Sequence, residues 1–148
     1  MLDDFIKVNR LSATIFPCDD AHTAAKAMKF TGDEEAVAKS IVLIDSNQSP
    51  LLVIMLGKDR ADFAKIKKIL GVADVRLCQP KEVIEITGYE IGGVPPISIY
   101  GIKTIMDKAV SEKDEVVCGG GDPRHLMKIK VLEIMECVED ISLEDIRK

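Results

Sequence analysis

The sequence predicts a mixed α/β fold with substantial antiparallel pairing, and three observations lead to this prediction. Segments with helical and with strand-like apolar spacing alternate along all 148 residues. Two apolar runs flank a polar turn near the centre of the chain. Gly and Pro mark segment ends without clustering into a linker. We therefore expect residues 1–148 to form a single domain, as suits a chain of this length.

The first part of the chain is predicted to hold two helices and a strand. Residues 2–11 place their apolar side chains on one helical face, and residues 13–17 are typical of a short strand. A second helix is predicted over residues 21–31, because its small apolar residues share a face and Gly32 follows them. Residues 33–38 are predicted to add one more helical turn.

The strongest strand signal is a hairpin. Residues 40–44 and 51–56 are continuous apolar runs, and residues 45–50 between them are polar and end in proline. Two such runs around a polar turn predict paired antiparallel strands that are largely buried on both faces.

The second half of the chain continues the alternation. A helix over residues 61–70 is expected to end at Gly71. The further predicted elements are a strand at 75–78, a helix at 80–87, strands near 102–106, 115–118 and 126–131, a helix or strand at 131–138 and a last turn at 143–147.

Composition and charge exclude several classes of protein. The net charge of −5 argues against a globally basic nucleic-acid coat protein and against a polybasic membrane-surface protein. A local basic stretch remains, because residues 58–68 hold five bases against two acids. We find no signal peptide and no apolar run long enough to span a membrane, so we expect a cytoplasmic protein.

The cysteines and histidines give no metal-binding pattern. There are four cysteines and two histidines, and no pair of cysteines has the CxxC spacing of zinc sites. The cysteines are expected to be small buried residues in a reducing compartment. With only His22 and His125 available, a Ser/His/Asp triad is not indicated, and the acids form no paired-carboxylate motif. We expect neither a metal nor a cofactor.

A loop of unusual composition follows the predicted helix at 80–87. Gly92 and Gly93 let the backbone approach a ligand closely, and Pro95 and Pro96 hold the loop rigid. The N–H groups of such a loop can bind a carbonyl oxygen, an oxyanion or a phosphate. A purely structural tight turn is the alternative.

Two further positions are able to carry chemistry. Residues 119–121 are three glycines after a predicted strand, with His125 just beyond, but no phosphate-loop lysine follows them. A flexible turn with a surface histidine is the alternative, and a nucleotide-binding regulator is a weaker one. Lys39 enters the first buried strand, where it is either a rim lysine or a cation held at a pocket edge.

Taken together and in order, these segments resemble the YbaK/EbsC-like aminoacyl-tRNA deacylases, which also occur as the inserted editing domain of bacterial prolyl-tRNA synthetases. The resemblance covers about residues 20–140. Its segments are HTAAKA at 22–27, VAKSIV at 37–42, LVI at 52–54, GKDR at 57–60, TGYEIGGVPP at 87–96, Asp107, and GGG at 119–121 followed by His125 and Leu126.

The resemblance implies a mixed sheet or partial barrel with flanking helices, and hydrolysis of a wrongly attached amino acid from tRNA. It implies that Lys39 lies near the tRNA 3′ end. The N–H groups of Gly92 and Gly93 are expected to hold the ester carbonyl as it becomes an oxyanion. Many relatives continue the loop with glycine where this chain has Ser98 after Ile97, which leaves the pocket size, and hence the amino acid, open.

The other expected contacts fall into two sets. The substrate-binding set is Val94, Pro95, Pro96, Gly120, Gly121 and His125. The tRNA-contacting set is Lys58, Arg60, Lys65 and Lys68, for which an ordinary solvated helix face is the alternative.

The expected function is that of a free-standing trans-editing hydrolase. It would remove Ala or Cys from mischarged tRNA(Pro), as a monomer, with prolyl-tRNA synthetase as a possible partner. The substrate's own ribose hydroxyl could orient the attacking water. A non-catalytic module that binds aminoacyl-tRNA or a synthetase is the alternative from another class.

Overall fold

The structure is a computed structural model that describes residues 1–18 and 36–148. Its elements in chain order are α1 (Leu2–Val8), β1 (Thr14–Pro17), β2 (Ala38–Asp45), β3 (Pro50–Leu56), α2 (Phe63–Leu70), β4 (Val75–Leu77), α3 (Pro80–Thr87), β5 (Lys103–Asp107), α4 (Lys108–Ser111), β6 (Glu115–Gly119), β7 (His125–Lys130), α5 (Val131–Cys137) and β8 (Ile141–Glu144). The helix predicted over residues 21–31 lies outside the described residues.

The predicted hairpin is confirmed and forms the centre of a five-stranded sheet. β2 and β3 pair antiparallel from Ala38 opposite Leu56 to Ile44 opposite Pro50. The strand order is β4-β2-β3-β5-β8, with β5 parallel to both β3 and β8. Successive side chains of β3 enter two different apolar clusters, one on each face of the sheet. Burial of both faces explains why the two runs are apolar throughout.

A smaller sheet has the order β1-β7-β6 and is antiparallel throughout. A parallel bridge between Val37 and Val117 links it to the beginning of β2. The predicted mixed, largely antiparallel α/β fold is therefore confirmed, with its strands in two linked sheets. None of the helices in the described parts of the chain is long and apolar enough to cross a membrane.

Three predicted elements differ from the structure, and one open alternative is decided. The first helix ends at Val8 rather than at residue 11, and Arg10 adopts a left-handed φ of 55°. The strand predicted from residue 40 already begins at Ala38, which was placed in a helical turn. Of the helix and the strand left open for residues 131–138, the structure has the helix, α5. The tail predicted as a turn begins with β8, because it finds a parallel partner in β5.

A buried carboxylate ties the C-terminal residues to the larger sheet. Asp107 is fully buried at the end of β5 and accepts hydrogen bonds from the N–H groups of Ala109 (3.1 Å) and Ile146 (3.0 Å). Oδ2, which accepts from Ala109, also lies 3.2 Å from Nε of Arg147. The main chain after β8 also contacts the residues before α2, since the N–H of Asp62 donates to the carbonyl of Ile146.

A bidentate ion pair joins β4 to α3. Both terminal nitrogens of Arg76 donate to the carboxylate of Glu82 at 2.8 Å, and Glu82 also accepts the N–H of Gln79 at the start of the helix. The hydrogen bonds from Arg76 and then from Gln79 lower the pKa of Glu82 from 4.5 to about 2.

We expect this ion pair to make the stability of the fold depend on pH below about 4.5. A carboxylate with a lowered pKa in the folded state stabilises the fold above its unfolded pKa, here 4.5, and loses that contribution as the pH falls towards 2. Glu82→Gln should therefore narrow the difference in urea midpoint between neutral and acidic solution. Because the pair is partly exposed, added salt should reduce the effect. Equal acid dependence in wild type and Glu82→Gln would contradict the assignment.

Candidate functional site

A cavity of about 280 Å³ lies where β2, α3, the loop after α3 and the end of β6 meet. Its lining is mostly apolar. The described lining residues are Val37, Ala38, Lys39, Ser40, Ile41, Val42, Leu77, Cys78, Val83, Ile91, Gly92, Val94, Val117, Cys118, Gly119 and Leu126. A partly open, apolar cavity with few polar groups is the usual form of a small-molecule site.

Side-chain alternation along β2 decides which residues form the cavity wall. Ala38 and Val42 belong to the apolar cluster that also contains cavity residues from α3 and β6, so Ser40 between them shares that face. Leu43 belongs to the cluster on the opposite face, and Ile41 packs against it. The side chain of Lys39 therefore starts from the face opposite the cavity wall.

Lys39 contributes to the edge of the cavity, and its amine has main-chain partners. Nζ donates to the carbonyl oxygens of Asp59 and Gly57, in the turn that follows β3. Burial lowers the pKa of Lys39, the charge of Asp59 opposes this, and the charge of Arg60 adds to it. The amine thus fixes this turn beside the cavity and places positive charge there.

The loop after α3 presents two unused backbone donors. Residues 90–93 form a turn in which the N–H of Gly93 donates to the carbonyl of Glu90 at 2.9 Å, and Gly92 has a φ of 91°. Gly93, expected from the sequence to bind an oxyanion, has therefore already used its N–H. Within the described residues, the N–H groups of Gly92 and Val94 donate to no acceptor, and both residues line the cavity.

The three consecutive glycines support that loop rather than forming a phosphate site. A Cβ on Gly93 would lie 2.4 Å from Cα of Asp122, and a Cβ on Gly119 would lie 2.2 Å from the carbonyl oxygen of Val94. The N–H of Gly121 donates to the carbonyl of Gly93 at 2.9 Å. Backbone therefore packs directly on backbone, which only glycine permits.

The remaining residues of the predicted substrate set lie near the cavity without lining it. Pro95, Pro96 and Gly120 are buried beside it, and Gly121 is partly exposed. His125 is partly exposed, and its Nδ1 lies 2.8 Å from Oδ1 of Asp122. That hydrogen bond is the main reason why the pKa of Asp122 is lowered. Of the predicted substrate-binding residues, the structure places Val94 alone in the described lining.

Sequence reasoning missed Ser40 and the two thiols of the cavity. The sequence could have indicated Ser40, because side chains alternate along a strand and residues 38 and 40 of β2 therefore share a face. Cys78 and Cys118 line the cavity, and burial raises the pKa of both thiols. They are therefore protonated at neutral pH and poor nucleophiles. No cluster of His, Cys, Asp or Glu suited to a metal ion occurs in residues 1–18 or 36–148.

The predicted tRNA-contacting residues lie in the turn after β3 and on α2. Lys58, Arg60 and Lys68 are exposed. Lys65 is engaged within the protein, since its Nζ donates to the carbonyl of Arg147 at 2.7 Å and lies 3.6 Å from Asp145. The turn also carries the carbonyls that bind Lys39, so Lys58 and Arg60 lie close to the cavity edge in sequence and in the fold.

Comparison with known proteins points to one family. The profile of the aminoacyl-tRNA editing domain matches residues 18–137. A proline–tRNA ligase from Halalkalibacterium halodurans is 32% identical over 104 residues, which is 70% of this chain and 18% of the ligase. The chain thus spans less than a fifth of that curated relative.

Two solved structures share the fold along almost the whole chain. The hypothetical protein APE2540 superposes with a TM-score of 0.90 at 26% identity, over 99% of both chains. A candidate trans-editing enzyme for prolyl tRNA synthetase superposes with a TM-score of 0.86 at 26% identity, over 99% of this chain and 94% of the other.

Proposed function

The chain belongs to the aminoacyl-tRNA editing domain family, as its resemblance to the YbaK/EbsC-like deacylases predicted, and on this premise we propose that it is a trans-acting aminoacyl-tRNA deacylase. The reaction is hydrolysis of the ester that joins a wrongly attached small amino acid to the ribose of tRNA. The observation that carries this proposal is the pair of unused N–H groups, of Gly92 and Val94, on the wall of an apolar cavity.

These two donors suit the transition state of ester hydrolysis. As water attacks the ester, the carbonyl oxygen gains negative charge, and fixed N–H groups stabilise that charge without reorganisation. The glycine contacts beneath the loop hold the donors in place before substrate arrives. An aminoacyl ester is already activated, so the substrate's own ribose hydroxyl suffices to orient the water.

The basic turn beside the cavity supplies a place for tRNA phosphates. A protein of net charge −5 needs clustered cations to hold tRNA at physiological salt. The proposed phosphate contacts are the exposed bases Lys58 and Arg60 in the turn after β3 and Lys68 on α2, and Lys39 adds a charge at the cavity edge. Lys65 is left out of the proposed contacts, because Asp145 and Arg147 occupy its amine.

Similarity to proline–tRNA ligases and to the candidate trans-editing enzyme supports tRNA(Pro) as the substrate and prolyl-tRNA synthetase as a partner. Alanine and cysteine are the proposed amino acids, since the cavity wall is apolar and includes small residues. We further propose that the protein acts as a monomer in the cytoplasm, without a cofactor.

The proposal is tested by incubating the protein with Ala-, Cys- and Ser-tRNA(Pro), with correctly charged Pro-tRNA(Pro) as the control. Loss of a mischarged ester, with the prolyl ester spared, is the expected result. Binding of all four tRNAs without hydrolysis would instead identify a non-catalytic binding module. If the protein neither binds nor hydrolyses any of these tRNAs, tRNA(Pro) is rejected as the substrate.

Replacing Lys39 should weaken deacylation. Lys39→Ala removes the amine that holds the turn after β3 and a charge at the cavity edge. We expect kcat/KM to fall about 10- to 100-fold, the usual cost of losing hydrogen bonds from a charged group. Lys68→Ala, at an exposed position on α2, is the matched control and should reduce only tRNA affinity. Equal effects of the two substitutions on kcat would contradict a specific role for Lys39.

A further inference from the structure

The side chain of Ser40 has a buried hydroxyl without a hydrogen-bond partner. Its Oγ is inaccessible to solvent and forms no hydrogen bond with the described residues. Ser40 lies on the cavity face of β2, between Ala38 and Val42. Among the described lining residues it carries the one side-chain oxygen.

An unpartnered buried hydroxyl destabilises the fold, since it loses its hydrogen bonds to water and gains none in return. Such a group in a cavity wall is explained when a bound ligand supplies the missing partner. The other polar atoms of the wall have different roles. The amine of Lys39 is a donor held by main-chain carbonyls, and the thiol of Cys118 donates to the carbonyl of Met127.

The proposed substrate carries one group that needs an acceptor. When the aminoacyl end enters the cavity, the N–H groups of Gly92 and Val94 serve its carbonyl oxygen, and the apolar wall surrounds a small side chain. The α-amino group is a strong donor, and the wall's described side chains offer it the oxygen of Ser40.

We propose that Oγ of Ser40, turned to the cavity surface by rotation about χ1, accepts a hydrogen bond from the α-amino group of the bound aminoacyl ester. Ser40 is then the residue that selects α-aminoacyl groups over other acyl groups of the same size. This inference rests on the proposed deacylase function. It extends that function by assigning recognition of the amine to one side chain.

The test compares three esters of tRNA(Pro) in wild type and in Ser40→Ala. Alanyl and propionyl esters differ only in the amine, and the seryl ester adds a side-chain hydroxyl. We expect Ser40→Ala to lower kcat/KM about 10- to 100-fold for the alanyl and seryl esters, as for a hydrogen bond to a charged group, and to leave the propionyl ester unchanged.

A second variant separates recognition from folding. Ser98 is also buried, but its Oγ is bonded to the hydroxyl of Tyr89 at 2.9 Å, outside the cavity lining. Ser98→Ala should lower the melting temperature and keep the ratio of alanyl to propionyl hydrolysis. Ser40→Ala should change that ratio without lowering the melting temperature, because it removes an unpartnered hydroxyl.

Three results would overturn the inference. An equal loss on the alanyl and propionyl esters would mean that Ser40 shapes the cavity without contacting the amine. A loss confined to the seryl ester would assign Ser40 to the substrate side chain. If wild type hydrolyses neither these three esters nor Cys-tRNA(Pro), the proposed function fails and this inference fails with it, whereas the first two results leave the deacylase function intact.

Discussion

Replacing Val94 by proline is expected to lower deacylation about 100- to 1,000-fold, the usual cost of removing one oxyanion donor. Proline has no N–H, so this change deletes one of the two unused donors of the cavity while keeping an apolar side chain. The chain already turns into Pro95 and Pro96 at this point, and Gly93 before it is conformationally permissive. Single-turnover hydrolysis of the preferred mischarged tRNA(Pro) measures the effect.

Val94→Ala is the control, since alanine keeps the N–H and removes two methyl groups from the wall. It should retain most of the single-turnover rate. Circular dichroism and thermal unfolding of both variants establish that the loop change has not unfolded the protein. If the alanine and proline variants lose activity equally, the wall's shape matters and the N–H group does not.

Asp107→Ala is expected to lower the free energy of unfolding by about 2 to 6 kcal/mol, because two buried N–H groups lose their acceptor at about 1 to 3 kcal/mol each. The alanine leaves the N–H groups of Ala109 and Ile146 without their acceptor in the core, and leaves Arg147 without its carboxylate. The loss should also loosen the residues before α2, because Asp62 is bonded to the same C-terminal segment.

Urea unfolding followed by circular dichroism measures this effect. Asp107→Asn is the informative comparison, because its amide oxygen still accepts one N–H, and it should lose less stability than alanine. Glu144→Ala, on β8 opposite Asp107, is a partly exposed control with a small expected effect. A loss below about 1 kcal/mol for Asp107→Ala would show that the buried network is not needed.

The hairpin and the site loop were predictable because their signals are local. An apolar run, a polar turn and a second apolar run determine the pairing of β2 with β3, and two glycines before two prolines mark a rigid loop. β8 was missed because its partner, β5, lies far away in the sequence. Nothing in residues 141–144 themselves indicates that they pair with a parallel strand.

The residues of the site were predicted less completely, for a geometric reason. Composition identified Gly92 and Gly93, but only the turn closed by Glu90 shows which N–H is already used. Lys39 could be identified from the sequence, because it is a charged residue at the start of an apolar strand. The alternation of β2 places its neighbour, Ser40, on the cavity face, while Lys39 reaches the cavity only at its edge.

The pairing of β1 with β7 has a consequence for how the protein is made. Thr14 lies opposite Lys128, so β1 pairs with a strand that follows it only after most of the larger sheet has been translated. On the ribosome, the apolar, partly buried side chains of Ile15 and Phe16 emerge before β7 and remain unpaired until β7 is translated. Closing so long a loop is slow, and until then β1 is an open edge that other nascent chains or chaperones can bind. The smaller sheet is thus expected to assemble only after β7 has left the ribosome.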